Sequence, residues 1–199
     1  ARFVMTAAPG PGDNNWWIAK IYVADGDAKA KVIYEPKWQI AVPRWSPDGR
    51  TIAFIEGLMS DEGFHGGDLL TMEPDGSAVI NRTRGRKTSV SSLFWTAAGK
   101  LMVTEWVNGG TALAEFSLQD GSVRELWKGS ERLRGYGNFP DFALTPDGAS
   151  SIAVRSDFTT PPEVWTGTPG SWRRRTLANS AQTPRWGKGE SLEWQSDGM

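Results

Sequence analysis

The chain has 199 residues, enough for one sizeable core, and its charge is balanced: 22 Lys and Arg against 23 Asp and Glu, one His, formal net charge −1. That balance excludes a basic nucleic-acid footprint, and the absence of Cys excludes a disulfide framework and thiolate chemistry. No stretch approaches the ~20 apolar residues of a membrane helix, whereas 23 Gly, 12 Pro and 11 Trp suit a turn-rich all-β chain with wide, flat interfaces.

Residues 1–34 open with a strand, Arg2 to Ala7, and a Pro/Gly/Asn loop, Pro9 to Asn15. Trp16 to Val23 and Ala30 to Tyr34 then read as two strands around the turn Asp25-Gly26, most of a unit that lacks its first strand. Residues 38–83 form the clearest unit, with strands near 40–45, 51–56, 68–73 and 78–83. Its loop from Gly57 to Gly67 is longer than a hairpin needs, and such loops tend to carry function. Arg84, Arg86 and Lys87 mark a basic connector that reads as a solvated loop. Residues 92–128 form the next unit, 129–140 an extended loop with Arg132, Arg134 and Tyr136, and 141–178 the last clear unit. Its outermost strand carries Arg173-Arg174-Arg175, a charge run that protects an edge. The tail from Thr183 begins another strand pattern and stops at a turn, so both ends look cut from something larger.

These units repeat. Trp45-Ser46-Pro47-Asp48-Gly49 is a strand and a tight turn, and the pattern returns at Trp95-Thr96-Ala97-Ala98-Gly99 and Leu144-Thr145-Pro146-Asp147-Gly148. The turn glycines fall 50 and 49 residues apart. A second hairpin family places glycines at 26, 76, 121 and 170, spaced 50, 45 and 49. Two interleaved hairpins per period give four strands per unit, the signature of a propeller blade. The expectation is an all-β fold of four-stranded antiparallel blades, about four of them, near 2–34, 38–83, 92–128 and 141–178, with Trp45, Trp95 and Leu144 on equivalent strands.

Catalytic patterns are lacking in the sequence. There is no Gly-x-Ser-x-Gly elbow, zinc spacing, phosphate loop or dinucleotide fingerprint. A serine triad would have to use His65, whose neighbours Gly66 and Gly67 are poor support for a base. Asp48, Asp75 and Asp147 read as turn residues. On these residues alone the chain is a scaffold or binding domain without cofactor or metal.

The run Trp45-Ser46-Pro47-Asp48-Gly49-Arg50-Thr51-Ile52-Ala53-Phe54 resembles the repeat of TolB-type propellers, which also builds the propeller domain of the prolyl oligopeptidase family of serine peptidases. Ile55 to Gly63 followed by Gly66-Gly67-Asp68, and the tail Glu190 to Gly198, are similar to acylaminoacyl- and dipeptidyl-peptidase-like members. This resemblance implies the C-terminal part of a larger propeller of about seven blades, residues 1–183, with 184–199 leading into a missing α/β-hydrolase domain. It implies a non-catalytic segment that caps the active site and gates access of short peptides, with no catalytic residue in this chain. In some relatives acidic propeller residues hold the substrate's free amino terminus, a role that Asp61 and Glu62 would take here. The implied partners are the hydrolase domain or a partner chain of the same peptidase, short peptide substrates, and further copies through open propeller faces, with neither nucleic acid nor membrane. The alternative is a TolB-like scaffold that binds protein or ligand with no enzyme attached. No charged-then-apolar leader pattern opens the chain, which favours a cytoplasmic location.

Overall fold

Short runs of alternating apolar residues, broken by Gly- and Asp-bearing turns, fold into fifteen strands among the described residues. This computed structural model describes residues 1–26, 29–59, 65–133, 141–183, 185, 187, 189–190 and 192–196. The first sheet orders β1 (Arg2–Ala7), β2 (Lys20–Asp25) and β3 (Lys31–Tyr34). The second orders β4 (Gln39–Trp45), β5 (Ile52–Gly57), β6 (Asp68–Met72) and β7 (Ile80–Asn81). In the third lie β8 (Ser89–Trp95), β9 (Leu101–Val107), β10 (Gly110–Phe116) and β11 (Val123–Gly129). The fourth holds β12 (Phe142–Leu144), β13 (Ser151–Arg155), β14 (Glu163–Thr168) and β15 (Ser171–Arg174). All pairings are antiparallel, so the chain is a run of all-β propeller blades. Trp45, Trp95 and Leu144 each end the first strand of their sheet.

One expected strand is different. Trp16 to Ile18 belong to a 3-10 helix, Asp13–Ile18, and β2 starts only at Lys20. The pairing of β1 stops at Ala7 opposite Lys20, so residues 16–18 have no ladder to join. The loop closes on itself instead: the Asn15 N–H donates to Gly12 O at 2.9 Å and its side-chain amide to Pro9 O at 2.5 Å.

The tight turns share one chemistry. Ser46, Thr96 and Thr145 each accept, through the side-chain oxygen, the N–H of Thr51, Lys100 and Ser150, at 2.9, 3.2 and 3.0 Å. Asp48 and Asp147 reinforce two of these turns: each accepts the preceding hydroxyl, at 2.6 and 2.5 Å, and a following N–H, at 3.1 and 3.0 Å. Ala98 replaces the aspartate in the middle copy, so the hydroxyl rather than the carboxylate is the common element. In the other hairpin family Asp75 and Asp120 accept the N–H groups of Ser77 and Ser122.

Stacking of the sheets builds the core in three layers. Ile21 meets Ile52, Phe54 and Met72 between the first and second sheets. Ile55 and Leu69 meet Val90, Leu93 and Val103 between the second and third. Met102 and Leu113 meet Phe142 and Ala153 between the third and fourth. Burying each such side chain contributes about 1.5–3 kcal/mol, which no sheet can gain alone.

Two glycines show how tightly the blades approach. Gly49 has φ 67° with open space around it, whereas Gly76, at φ 90°, lies against the carbonyl oxygen of Ile33 on the preceding sheet. Gly49→Ala should therefore cost only the left-handed strain, about 1–2 kcal/mol. Gly76→Ala should cost a further 1–3 kcal/mol or so of overpacking, read as a lower denaturant midpoint. Acid acts on the turns. The Ser117 hydroxyl, then the Ser122 N–H, hold the Asp120 carboxyl at about 2, and the hydroxyls of Ser46, Ser77 and Thr145 lower Asp48, Asp75 and Asp147. Groups depressed on folding stabilise the fold above their ordinary pKa of about 3.9 and lose that contribution as pH falls toward the folded value. The melting temperature should fall between pH 4 and pH 2 (a window set by those two limits), and Asp120→Asn should flatten that slope.

Candidate functional site

The antiparallel order gives the stacked sheets two unlike ends. At one end sit the tight turns, 46–51, 73–79, 96–100, 117–122 and 145–150, whose polar groups bond one another. At the other end lie the described parts of the longer connections, 8–19, 35–38, 58–59 and 65–67, 82–88, 130–133 and 141, and 156–162.

Each of three connectors is pinned to one repeated position. Trp45 pairs with Ile52, Trp95 with Leu101 and Leu144 with Ser151. Four residues beyond those partners come Glu56, Glu105 and Arg155. Glu56 accepts the Tyr34 hydroxyl at 2.6 Å and the N–H groups of Lys37 and Trp38 at 2.9 and 3.0 Å. Burial, then the bond to Glu56, push the Tyr34 hydroxyl well above the usual phenol range. Glu105 accepts Arg86 through both carboxylate oxygens, at 3.1 and 2.9 Å, and the Thr88 hydroxyl at 2.7 Å. Arg86 stays exposed in its connector, as do Arg84 and Lys87, yet it neutralises a buried carboxylate, a pairing across 19 positions that no local pattern reveals. At the third position the charges swap. Arg155 donates to Glu131 of the connector at 2.5 Å, with its guanidinium 4.3 Å from the Trp165 ring centroid and 5.3 and 5.4 Å from those of Trp127 and Trp172. Glu163 fastens the segment after β15, accepting the Thr176 hydroxyl and the N–H groups of Asn179 and Ala178 at 2.7 and 3.2 Å. Those bonds, the Thr176 hydroxyl foremost, lower its pKa.

The Glu56 anchor shapes a groove at this loop end. A cavity of 470 Å³ opens between Trp17 and Ile18 of the 3-10 helix, Pro36, Lys37 and Trp38 of the pinned connector, and Leu58 at the start of the long loop. Trp38 is 53% exposed and Leu58 76%. Trp17 leans on Trp16 with ring centroids 5.1 Å apart, and the Lys37 ammonium stands 5.7 Å from the Trp38 ring centroid. Lys20 and Glu35 close the rim with an ion pair of 2.7 Å. Apolar side chains this exposed, on anchored backbone, suit an extended ligand with its own apolar groups.

Asp61 and Glu62, expected to hold an amino terminus, lie outside the described residues, as do Arg134 and Tyr136. The flanks of their loop are described. Met59 is buried and clamped by Gln39, whose Oε1 accepts the Met59 N–H at 3.0 Å and whose amide donates to the Met59 carbonyl at 3.4 Å. Gly57 and Gly67 pass so closely that neither tolerates a Cβ. His65 follows: its carbonyl accepts the Trp106 indole N–H at 3.0 Å, and burial lowers its imidazole pKa, which favours the neutral ring. No group of three metal-ligating side chains occurs among the described residues. The groove was missed in sequence because Trp17, Trp38 and Leu58 sit in three separate connectors; the one signal was apolar residues inside loop segments.

No known family of sequences matches the chain, and no curated protein does. Solved structures do. A puromycin hydrolase aligns with TM-score 0.66 and 17% identity, covering 88% of this chain and 28% of its own. The acylaminoacyl peptidase of Pyrococcus horikoshii gives 0.62 and 20%, covering 90% of this chain and 26% of its own. TolB from Acinetobacter baumannii gives 0.62 and 18%, covering 89% and 42%. The resemblance to the propellers of such peptidases and of TolB thus holds for the fold. The chain spans little more than a quarter of the puromycin hydrolase.

The connector anchor is testable by a double-mutant cycle. Arg86→Gln leaves the buried Glu105 with a single hydroxyl donor and should cost about 3 kcal/mol. Adding Glu105→Gln should recover at least half of that loss, because no buried charge is then left unpaired. Chemical denaturation of the four proteins measures both steps.

Proposed function

We propose that the chain is the non-catalytic propeller segment of a serine peptidase of the prolyl oligopeptidase family, capping the active site and gating the access of short peptides. The observation that carries this reading is the aromatic groove of Trp17, Trp38 and Leu58 at the loop end, fixed by Glu56 beside the long 58–67 loop. An extended, unfolded peptide can lay apolar side chains into such a groove, while a folded protein cannot enter a 470 Å³ cleft. The neighbours support the reading by kind, since a puromycin hydrolase and an acylaminoacyl peptidase are among them. In this reading Asp61 and Glu62 receive the peptide's ammonium group, and the catalytic serine, acid and histidine belong to the hydrolase part of the protein. A second reading, a TolB-like scaffold that binds a protein or ligand with no enzyme attached, draws on the TolB neighbour, of which the chain covers the larger share of 42%.

Titration of short unstructured peptides carrying aromatic side chains, followed by tryptophan fluorescence, separates the two. Saturable binding is expected, weakened about tenfold by Trp38→Ala, the loss of one anchoring contact of 1.4 kcal/mol or so. Glu62→Gln should weaken peptides with a free amino terminus by about 1.5–3 kcal/mol and leave acetylated ones unchanged. A fluorophosphonate probe should not label residues 1–199. Absence of saturable peptide binding would favour the scaffold reading, and labelling would overturn the non-catalytic assignment.

A further inference from the structure

β9 and β10 meet in a two-residue loop, Asn108-Gly109, closed by the pairing of Val107 with Gly110. Both loop residues are exposed, and both have positive φ, 47° and 75°. A hairpin this short matches the twist of its strands only with such a left-handed pair, and Asn followed by Gly is a favoured sequence for it. The fold thus asks for this dipeptide, and the dipeptide brings its own chemistry. The backbone nitrogen of Gly109 can reach the Asn108 side-chain carbon by closing a five-membered ring, and glycine has no side chain to screen that nitrogen.

Neither group is engaged. The Gly109 N–H has no backbone acceptor among the described residues, and the Asn108 side chain has no hydrogen bond there. The other described asparagines differ. Asn15, Asn81 and Asn179 donate their side-chain amides to Pro9 O, to the Asp68 carboxylate and to Pro162 O. The nitrogens that follow Asn14, Asn81 and Asn179 donate to the carbonyls of Gly12, Leu69 and Leu177. The Asp-Gly turns share the spacing but not the reactivity: Asp48, Asp75, Asp120 and Asp147 each accept a backbone N–H, and an ionised carboxylate resists attack by a nitrogen.

We propose that Asn108-Gly109 is a site of spontaneous backbone modification, at which asparagine passes through a cyclic imide to aspartate and isoaspartate. The Gly109 nitrogen forms a bond to Asn108 Cγ, the Cγ–Nδ2 bond breaks, and the side-chain amide departs as ammonia with the Gly109 amide proton. Solvent water then opens the ring. Opening at Cγ gives aspartate; opening at the main-chain carbonyl gives isoaspartate, whose backbone runs through Cβ. Ring closure needs Asn108 to leave its left-handed conformation briefly, and local opening of a hairpin end costs far less than unfolding the sheet. The consequence is structural. Isoaspartate lengthens the backbone of a loop that fits only at its original length. Glu105, paired with Ala112 on the strands that the loop joins, holds Arg86 and Thr88, so a loosened hairpin weakens the anchor of the 82–88 connector. The proposal is independent of the peptide groove at Trp17, Trp38 and Leu58.

Incubation of residues 1–199, folded and at mildly alkaline pH, tests it. Digestion and fragmentation that separates isoaspartate from aspartate should find both at position 108. Conversion there should exceed that at Asn14, Asn15, Asn81 and Asn179 by about tenfold or more. The incubated chain should melt at a lower temperature than the fresh one. Asn108→Gly, which keeps a pair that accepts positive φ and removes the amide, should melt alike before and after incubation. An unmodified Asn108 overturns the proposal, as does aspartate without isoaspartate, which marks direct hydrolysis of the side chain. Conversion seen only in denaturant also overturns it, since the reactivity then belongs to the unfolded chain. An equal fall in the melting temperature of incubated Asn108→Gly removes the structural consequence.

Discussion

A buried charge at one repeated register position holds the connectors to the blades. A carboxylate or guanidinium taken out of water is costly unless every strong bonding direction is met. Glu56 meets the demand with a hydroxyl and two backbone N–H groups and Glu105 with a guanidinium and a hydroxyl, whereas half-buried Arg155 bonds a carboxylate and lies over three indole rings while its Nε has no hydrogen-bond partner. In each case at least one partner comes from the connector that leads into the blade: Lys37 and Trp38, Arg86 and Thr88, and Glu131. Folding a blade without docking its connector would strand the charge, so the position couples the conformation of the loops to the formation of the sheets. The reversal at Arg155 shows that the position takes a paired charge of either sign.

That coupling explains which parts were legible in the sequence. The turns at Asp48, Asp75, Asp120 and Asp147 are local, since each carboxylate bonds residues within three or four positions of itself. Their recurrence every fifty residues or so was therefore enough to read the strand pairs and the blade architecture. Trp16 to Ile18 defeated the same reasoning, because an apolar run becomes a strand only where a neighbour offers a ladder. The ion pair of exposed Arg86 stayed hidden for the related reason that its partner, Glu105, is distant in sequence.

The candidate groove was still less legible. It is assembled from a 3-10 helix, a four-residue connector and the first residue of a long loop, each unremarkable alone. What converts them into one surface is the pinning of the Lys37 and Trp38 backbone to Glu56 and of Met59 to Gln39. Those bonds join strands to loops, and strand periodicity carries no record of them. The expectation for Asp61 and Glu62 came from a different source, the resemblance of a loop, and concerns residues outside the described set.

The two ends of the stack are unequal partners for any ligand, and the inequality follows from the same chemistry. At the turn end the hydroxyls of Ser46, Thr96 and Thr145 and the carboxylates of Asp48 and Asp147 are engaged with neighbouring backbone. Groups already satisfied gain little by exchanging one partner for another. At the loop end the polar anchors point inward, to Glu56, Glu105 and Arg155, and leave the outward surface to Trp17, Trp38, Leu58 and the aliphatic stem of Lys37. Apolar surface held open to water on fixed backbone gains free energy when covered, with little further ordering cost. Recognition is therefore favoured at the loop end, where the inward bonds that stabilise the blades are also what keep the aromatic surface in place.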